Sequence, residues 1–113
     1  MLTRDEAMQR AVDRDPLYNR IATPRWFAEA GAAQEQVLQH ADAIRLPTLV
    51  LLPEADPIAS PAATERFFES LGAFDRDLRR YPGARHEVFN ELPEVRRQAM
   101  QDVSGWILER SGR

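Results

Sequence analysis

The chain has no cysteine and no lysine. Without a thiol there is no cysteine nucleophile, no Cys-ligated zinc site and no disulfide framework. All fifteen basic residues are arginine, which removes Schiff-base chemistry, P-loop phosphate binding and Ser-Lys dyads. Against them stand 18 acidic side chains, for a formal net charge of −3. The charge is scattered, so there is no electrostatic footprint for nucleic acid or an anionic membrane surface. No apolar run approaches the length of a membrane span, and the opening Met-Leu-Thr-Arg-Asp-Glu lacks the apolar core of a signal sequence. A soluble chain, most simply cytoplasmic, is expected. Its 113 residues, 43% of them hydrophobic, suit one domain with a modest core.

Residues 1–22 are polar and broken at Asp15-Pro16, which predicts a short helix over about Asp5–Val12 and then a turn. Thr23-Pro24 combines a hydroxyl cap with a proline at the first helical position. From there Trp26, Phe27, Ala30, Val37, Ala41 and Ile44 follow helical spacing. A helix is expected from about Pro24 to Ala43, with Gly31 as a point of interruption. Thr48-Leu49-Val50-Leu51-Leu52 is an unbroken apolar run between Pro47 and Pro53, the pattern of a strand buried on both faces of a parallel sheet. Ser60-Pro61 opens the next helix, with Ala63, Phe67, Phe68 and Leu71 as its apolar stripe and Gly72 as its stop. A weaker strand over Asp77–Tyr81 ends at Pro82-Gly83. The last helix runs from about Pro93 to Glu109, with Val95, Ala99, Val103, Trp106 and Ile107 on one face.

The fold class is α/β: two parallel strands joined by a helix through a right-handed crossover. Two strands make an unfinished sheet with a bare lateral edge. The pattern is that of one end of a larger α/β sheet, with pairing to a missing half or to a second copy as the expected escape.

In parallel α/β sheets ligands bind at the carboxyl ends of the strands. Asp56 follows the first strand and His86 the second, 30 positions later. One β-α-β unit therefore delivers both to the same sheet edge. A carboxylate bonded to one imidazole nitrogen fixes the tautomer and leaves the other nitrogen free as a general base. The structural alternatives are a turn aspartate before Pro57 and an ordinary loop histidine.

Two stretches carry a resemblance: Leu46-Pro47-Thr48-Leu49-Val50-Leu51-Leu52 with Asp56-Pro57-Ile58, and Tyr81-Pro82-Gly83-Ala84-Arg85-His86-Glu87-Val88-Phe89-Asn90-Glu91. They resemble the C-terminal third of α/β-hydrolases, in the monoacylglycerol lipase and lysophospholipase group. The His-Glu-x-x-Asn-Glu run and Val103-Ser104-Gly105-Trp106-Ile107 are the more specific marks. Asp15-Pro16-Leu17 through Trp26-Phe27 is similar to the end of that group's cap. The resemblance implies a cap remnant over residues 1–45 and a hydrolase core over 46–113. It further implies Asp56 as triad acid, His86 as triad base, an acyl-ester or lipid-like substrate, no cofactor and no metal.

One departure limits this. The group's G-x-S-x-G nucleophile motif is absent: the four serines are Ser60, Ser70, Ser104 and Ser111, and none has those flanking glycines. Ser60 reads as a helix cap. The chain is expected to be inactive alone, as a C-terminal piece of a longer serine carboxylic-ester hydrolase. The alternative is a non-catalytic interaction module that kept the hydrolase strands. A phosphoaspartate receiver domain fits the outline superficially and fails for want of lysine. Glu87 and Glu91 beside His86 invite a metal reading, but the second histidine of a zinc helix is missing. Arg79, Arg80 and Arg85 read as charges that blunt an edge strand, and Met8, Trp26 and Phe27 as core or lipid-pocket lining.

Overall fold

The computed structural model describes residues 2–112. In chain order the elements are α1 (Glu6–Arg14), α2 (Pro24–Gln39), a 3-10 turn (Ala41–Ala43), β1 (Thr48–Pro53), α3 (Pro61–Ser70), β2 (Arg76–Tyr81), a second 3-10 turn (Val88–Asn90) and α4 (Pro93–Ser111). Helix starts follow local chemistry. Asp5 accepts from the amides of Ala7 and Met8, Thr23 from that of Trp26, and Ser60 from that of Ala63, each relieving an orphan donor of a first turn. Pro24, Pro61 and Pro93 occupy first-turn positions where no amide is needed.

β1 and β2 pair in parallel, from Thr48 opposite Arg76 to Pro53 opposite Tyr81, with α3 as the crossover. Tyr81, Ala84, Val88 and Ala99 form the buried cluster, joined by Leu51 and Val95. The Tyr81 hydroxyl donates to Asp102 Oδ2 at 2.7 Å, and Arg110 grips both oxygens of Asp75 while its guanidinium lies 4.2 Å from the Trp106 ring centre. These contacts fasten α4 to both ends of β2.

Several expectations are refined. The helix from Pro24 stops at Gln39, short of the expected Ala43, and is continuous through Gly31. Its apolar positions are not covered: Trp26 is 61% and Phe27 76% exposed, so neither is core among the described residues. In β1 only Leu52 is fully buried, while Thr48, Leu49, Val50 and Leu51 are half-buried. Among the described residues the strand has one sheet neighbour, and its other edge is open. Gly72 has no left-handed backbone and so does not end α3 as a glycine C-cap. A Cβ there would lie 1.9 Å from the Asp42 carbonyl oxygen; the glycine is required by close approach of two backbones.

The accessible surface is 8216 Å², where a compact globule of 12.9 kDa has about 6,300 Å². The radius of gyration is 15.9 Å, against about 13 Å for a compact domain of this length. Both figures exceed those of a compact globule of this length. No helix of the described residues is long and apolar enough to cross a membrane.

Candidate active site

The parallel register sets the site. Pro53 and Tyr81 are the last paired residues of the two strands, so both loops leave the sheet at the same edge. Beyond β2, Tyr81-Pro82-Gly83-Ala84 forms a turn closed by the Ala84 amide on the Tyr81 carbonyl at 3.1 Å. Gly83 has φ +72°, and proline followed by a positive-φ glycine is the chemistry of a type II turn. The Ala55 amide then donates to the Ala84 carbonyl at 3.0 Å, tying the loop of Asp56 to the loop of His86.

Asp56 Oδ2 lies 2.8 Å from His86 Nδ1. Asp56 Oδ1 accepts from the amides of Ile58 at 2.8 Å and Ala59 at 3.0 Å. The Asp56 side chain is 5% exposed and that of His86 40%. Burial pushes the Asp56 carboxyl up, but the His86 bond and the two amides outweigh it and hold the carboxyl below its ordinary value. Asp56 is therefore an anion over the neutral pH range. An Nδ1–H donated to that anion leaves Nε2 with its lone pair, free of any protein partner among the described residues. Such a pair can accept a proton from a hydroxyl and stabilise the imidazolium that results.

The flanking acids have protein partners of their own. Glu87 Oε2 accepts from Asn90 Nδ2 at 3.0 Å, and Glu91 is fully buried with its carboxylate filled by Arg4 and backbone amides. No cluster of three or more His, Asp or Glu side chains suited to a metal occurs among the described residues. Arg80 pairs with Glu65 and Glu54, and Arg79 with Asp77, an ordinary surface network. Ser60 caps α3, Ser104 donates to carbonyls of its own helix, and Ser111 belongs to the last turn of α4. An open depression lined by Tyr18, Ile21, Thr23 and Trp26 lies on the α2 side and includes neither Asp56 nor His86.

The loop of His86 has a support that the residue pattern does not reveal. The amides of Arg85 and Leu92 and two nitrogens of Arg4 all bond to Glu91. Nothing in the spacing of Arg4 and Glu91, 87 positions apart, signals their meeting.

The chain is similar to several known proteins. The monoacylglycerol lipase of Mycolicibacterium smegmatis is 32% identical over 108 residues, covering 95% of this chain and 38% of that protein. The monoglyceride lipase of Saccharomyces cerevisiae is 27% identical, covering 94% of this chain and 37% of that one. The crystal structure of Paleococcus ferrophilus monoacylglycerol lipase superposes with a TM-score of 0.90 at 26% identity, over 96% of this chain and 42% of that one. The chain thus spans well under half the length of these relatives, and its strands and helices form part of an α/β-hydrolase fold. Residues 1–93 match the serine aminopeptidase S33 family, and the chain belongs to that family of α/β-hydrolases.

Proposed function

We propose that Asp56 and His86 are the acid and base of a serine-hydrolase triad acting on carboxylic esters of lipid-like substrates, with the serine supplied from outside these 113 residues. The observation that carries this reading is the 2.8 Å bond between His86 Nδ1 and a buried Asp56 carboxylate at the carboxyl edge of the sheet. In the reaction His86 Nε2 takes the proton of the serine hydroxyl as its oxygen attacks the ester carbonyl. The imidazolium, stabilised by Asp56, returns that proton to the departing alcohol and leaves an acyl-enzyme. Water, deprotonated by the same nitrogen, then releases the acid and restores the serine. Relatives named as monoacylglycerol and monoglyceride lipases favour an ester over a peptide. Residues 46–113 then form the C-terminal part of the core and residues 1–45 the end of a cap. The bare surface seats the remaining hydrolase part or, in its absence, a second copy.

A chimaera tests this. The C-terminal segment of the Mycolicibacterium smegmatis lipase is replaced by this chain, and hydrolysis of a monoacylglycerol is measured. The expected result is turnover that disappears on His86→Ala. A folded chimaera without turnover favours the interaction-module alternative, and turnover indifferent to His86→Ala removes the assignment.

A further inference from the structure

His86 is the more exposed member of the pair, and Asp56 is its ring's one hydrogen-bond partner among the described residues. Its position therefore depends on its backbone, which is bonded on one side to Glu91 and on the other to the distant Leu2. The preceding residue, Arg85, donates its amide to Glu91 Oε1 at 3.0 Å. The following residue, Glu87, donates its amide to the Leu2 carbonyl at 3.1 Å. Glu91 also organises the segment that supplies Leu2. Its Oε1 accepts the Arg4 amide and its Oε2 the Arg4 Nε, both at 3.0 Å. The Leu92 amide, at the start of α4, gives the fourth bond at 3.1 Å. Thr3, itself buried, donates to the Asn90 carbonyl at 2.7 Å and accepts from the Asp5 amide.

We propose that Glu91 is a positioning residue for His86, whose carboxylate clamps the histidine loop between the N-terminal strap Leu2–Arg4 and the start of α4. The proposal rests on the reading of Asp56 and His86 as a functional pair. The chemistry suits the task. A carboxylate is acceptor-only, and all four groups aimed at this one are donors. Burial alone would push the Glu91 carboxyl up, but the Arg85 and Leu92 amides and Arg4 hold it below its ordinary value. A glutamine in its place turns one oxygen into an NH₂ group facing two N–H donors, so two bonds are lost with no change of shape. Catalytic groups tolerate displacement of only about 0.5 Å.

The test reads the ring tautomer. The chain has two histidines; His40, exposed at the end of α2, is the internal reference. Long-range ¹H–¹⁵N spectra of the 113-residue chain are recorded at about pH 8. In the wild type His86 is expected as the Nδ1–H form, while His40 shows the Nε2–H form usual in water. Glu91→Gln should return His86 to the ratio of His40 while leaving His40 unchanged. A role confined to stability would lower the melting temperature without moving the tautomer of the folded chain, and that result overturns the proposal. If Glu91→Gln does not fold, Arg4→Ala, which keeps both loop amides on the carboxylate, decides on the same signal. A shift toward Nε2–H supports the clamp, and an unchanged spectrum overturns it. The Asp56→Ala chain separates the two readings. If it leaves the His86 tautomer as in the wild type, the pair itself is wrong and the clamp falls with it. If it moves the tautomer while the Glu91 and Arg4 variants do not, only the clamp is wrong.

Discussion

Asp56 meets His86 with one carboxylate oxygen and its own loop with the other. Oδ2 lies 2.8 Å from the ring nitrogen, and Oδ1 is held by the amides of Ile58 and Ala59. The carboxylate is thus immobilised before it orients the imidazole. In the chimaera with a nucleophile, Asp56→Asn should preserve this geometry and present an amide that favours the wrong tautomer. We expect kcat to fall by about 10⁴-fold with KM little changed. Steady-state kinetics on a monoacylglycerol check this, and a loss confined to KM would contradict it.

The chain by itself should hydrolyse short-chain nitrophenyl esters no faster than free imidazole does. On the proposed reading the Asp56–His86 pair has no serine within these residues and so no covalent route. Ser60, the serine nearest in sequence to Asp56, spends its Oγ accepting the Ala63 amide. Ser60→Ala should therefore cost about 1 kcal/mol of stability as a lost cap and leave the background rate unchanged. Burst kinetics abolished by that substitution would make Ser60 a nucleophile.

Acid should loosen the histidine loop. Both Glu91 and Asp56 have carboxyls held below their ordinary values of 4.5 and 3.8. A depressed carboxyl contributes stability that is fully present above the unfolded value and lost as pH falls through the folded one. The urea midpoint should therefore be flat near neutrality and drop below about pH 4. Glu91→Gln should start lower and show a shallower drop. Equal slopes in the two chains would mean that the Glu91 carboxylate contributes nothing to acid sensitivity.

Gly72→Ala should destabilise strongly. The added carbon would sit 1.9 Å from the Asp42 carbonyl oxygen, and backbone on both sides must separate to admit it. A loss of about 3 kcal/mol or more is expected, against a gain of a few tenths for an unstrained Gly→Ala. Thermal unfolding followed by circular dichroism measures it. Gly31→Ala, where the new carbon meets nothing within 4 Å, is the control and should stabilise α2 by up to about 1 kcal/mol.

Self-association is the outcome expected from the open surface. Leu46 is 77% exposed and Phe74 fully so, and among the described residues one edge of β1 has no strand beside it. At about 25 cal/mol per Å², several hundred Å² of bare apolar surface forfeits on the order of 10 kcal/mol, comparable with a domain's whole stability. Light scattering over a dilution series should find dimers or larger species at micromolar concentration. A monomer with a cooperative melting transition would show that the chain is self-sufficient.

What the amino-acid sequence determined by itself was local or set by one β-α-β unit. Caps at Asp5, Thr23 and Ser60 act on amides two or three positions away, so a short window contains both partners. The turn at Pro82-Gly83 needs only its own four residues. Asp56 and His86 could be brought together on paper because parallel pairing carries the ends of consecutive strands to one edge, whatever the side chains do. The tertiary structure alone decided the rest. Gly72 reads as a helix stop in any window, yet its reason is the Asp42 carbonyl of another segment. The apolar spacing of α2 promises a buried face, but burial depends on what lies opposite, and Trp26 and Phe27 remain exposed. Glu91 looks like one more surface acid beside a histidine. Its meaning comes from four donors on Arg4, Arg85 and Leu92, three of them backbone amides that every residue type but proline carries. No residue pattern encodes where such groups converge; only the folded chain brings them to one carboxylate.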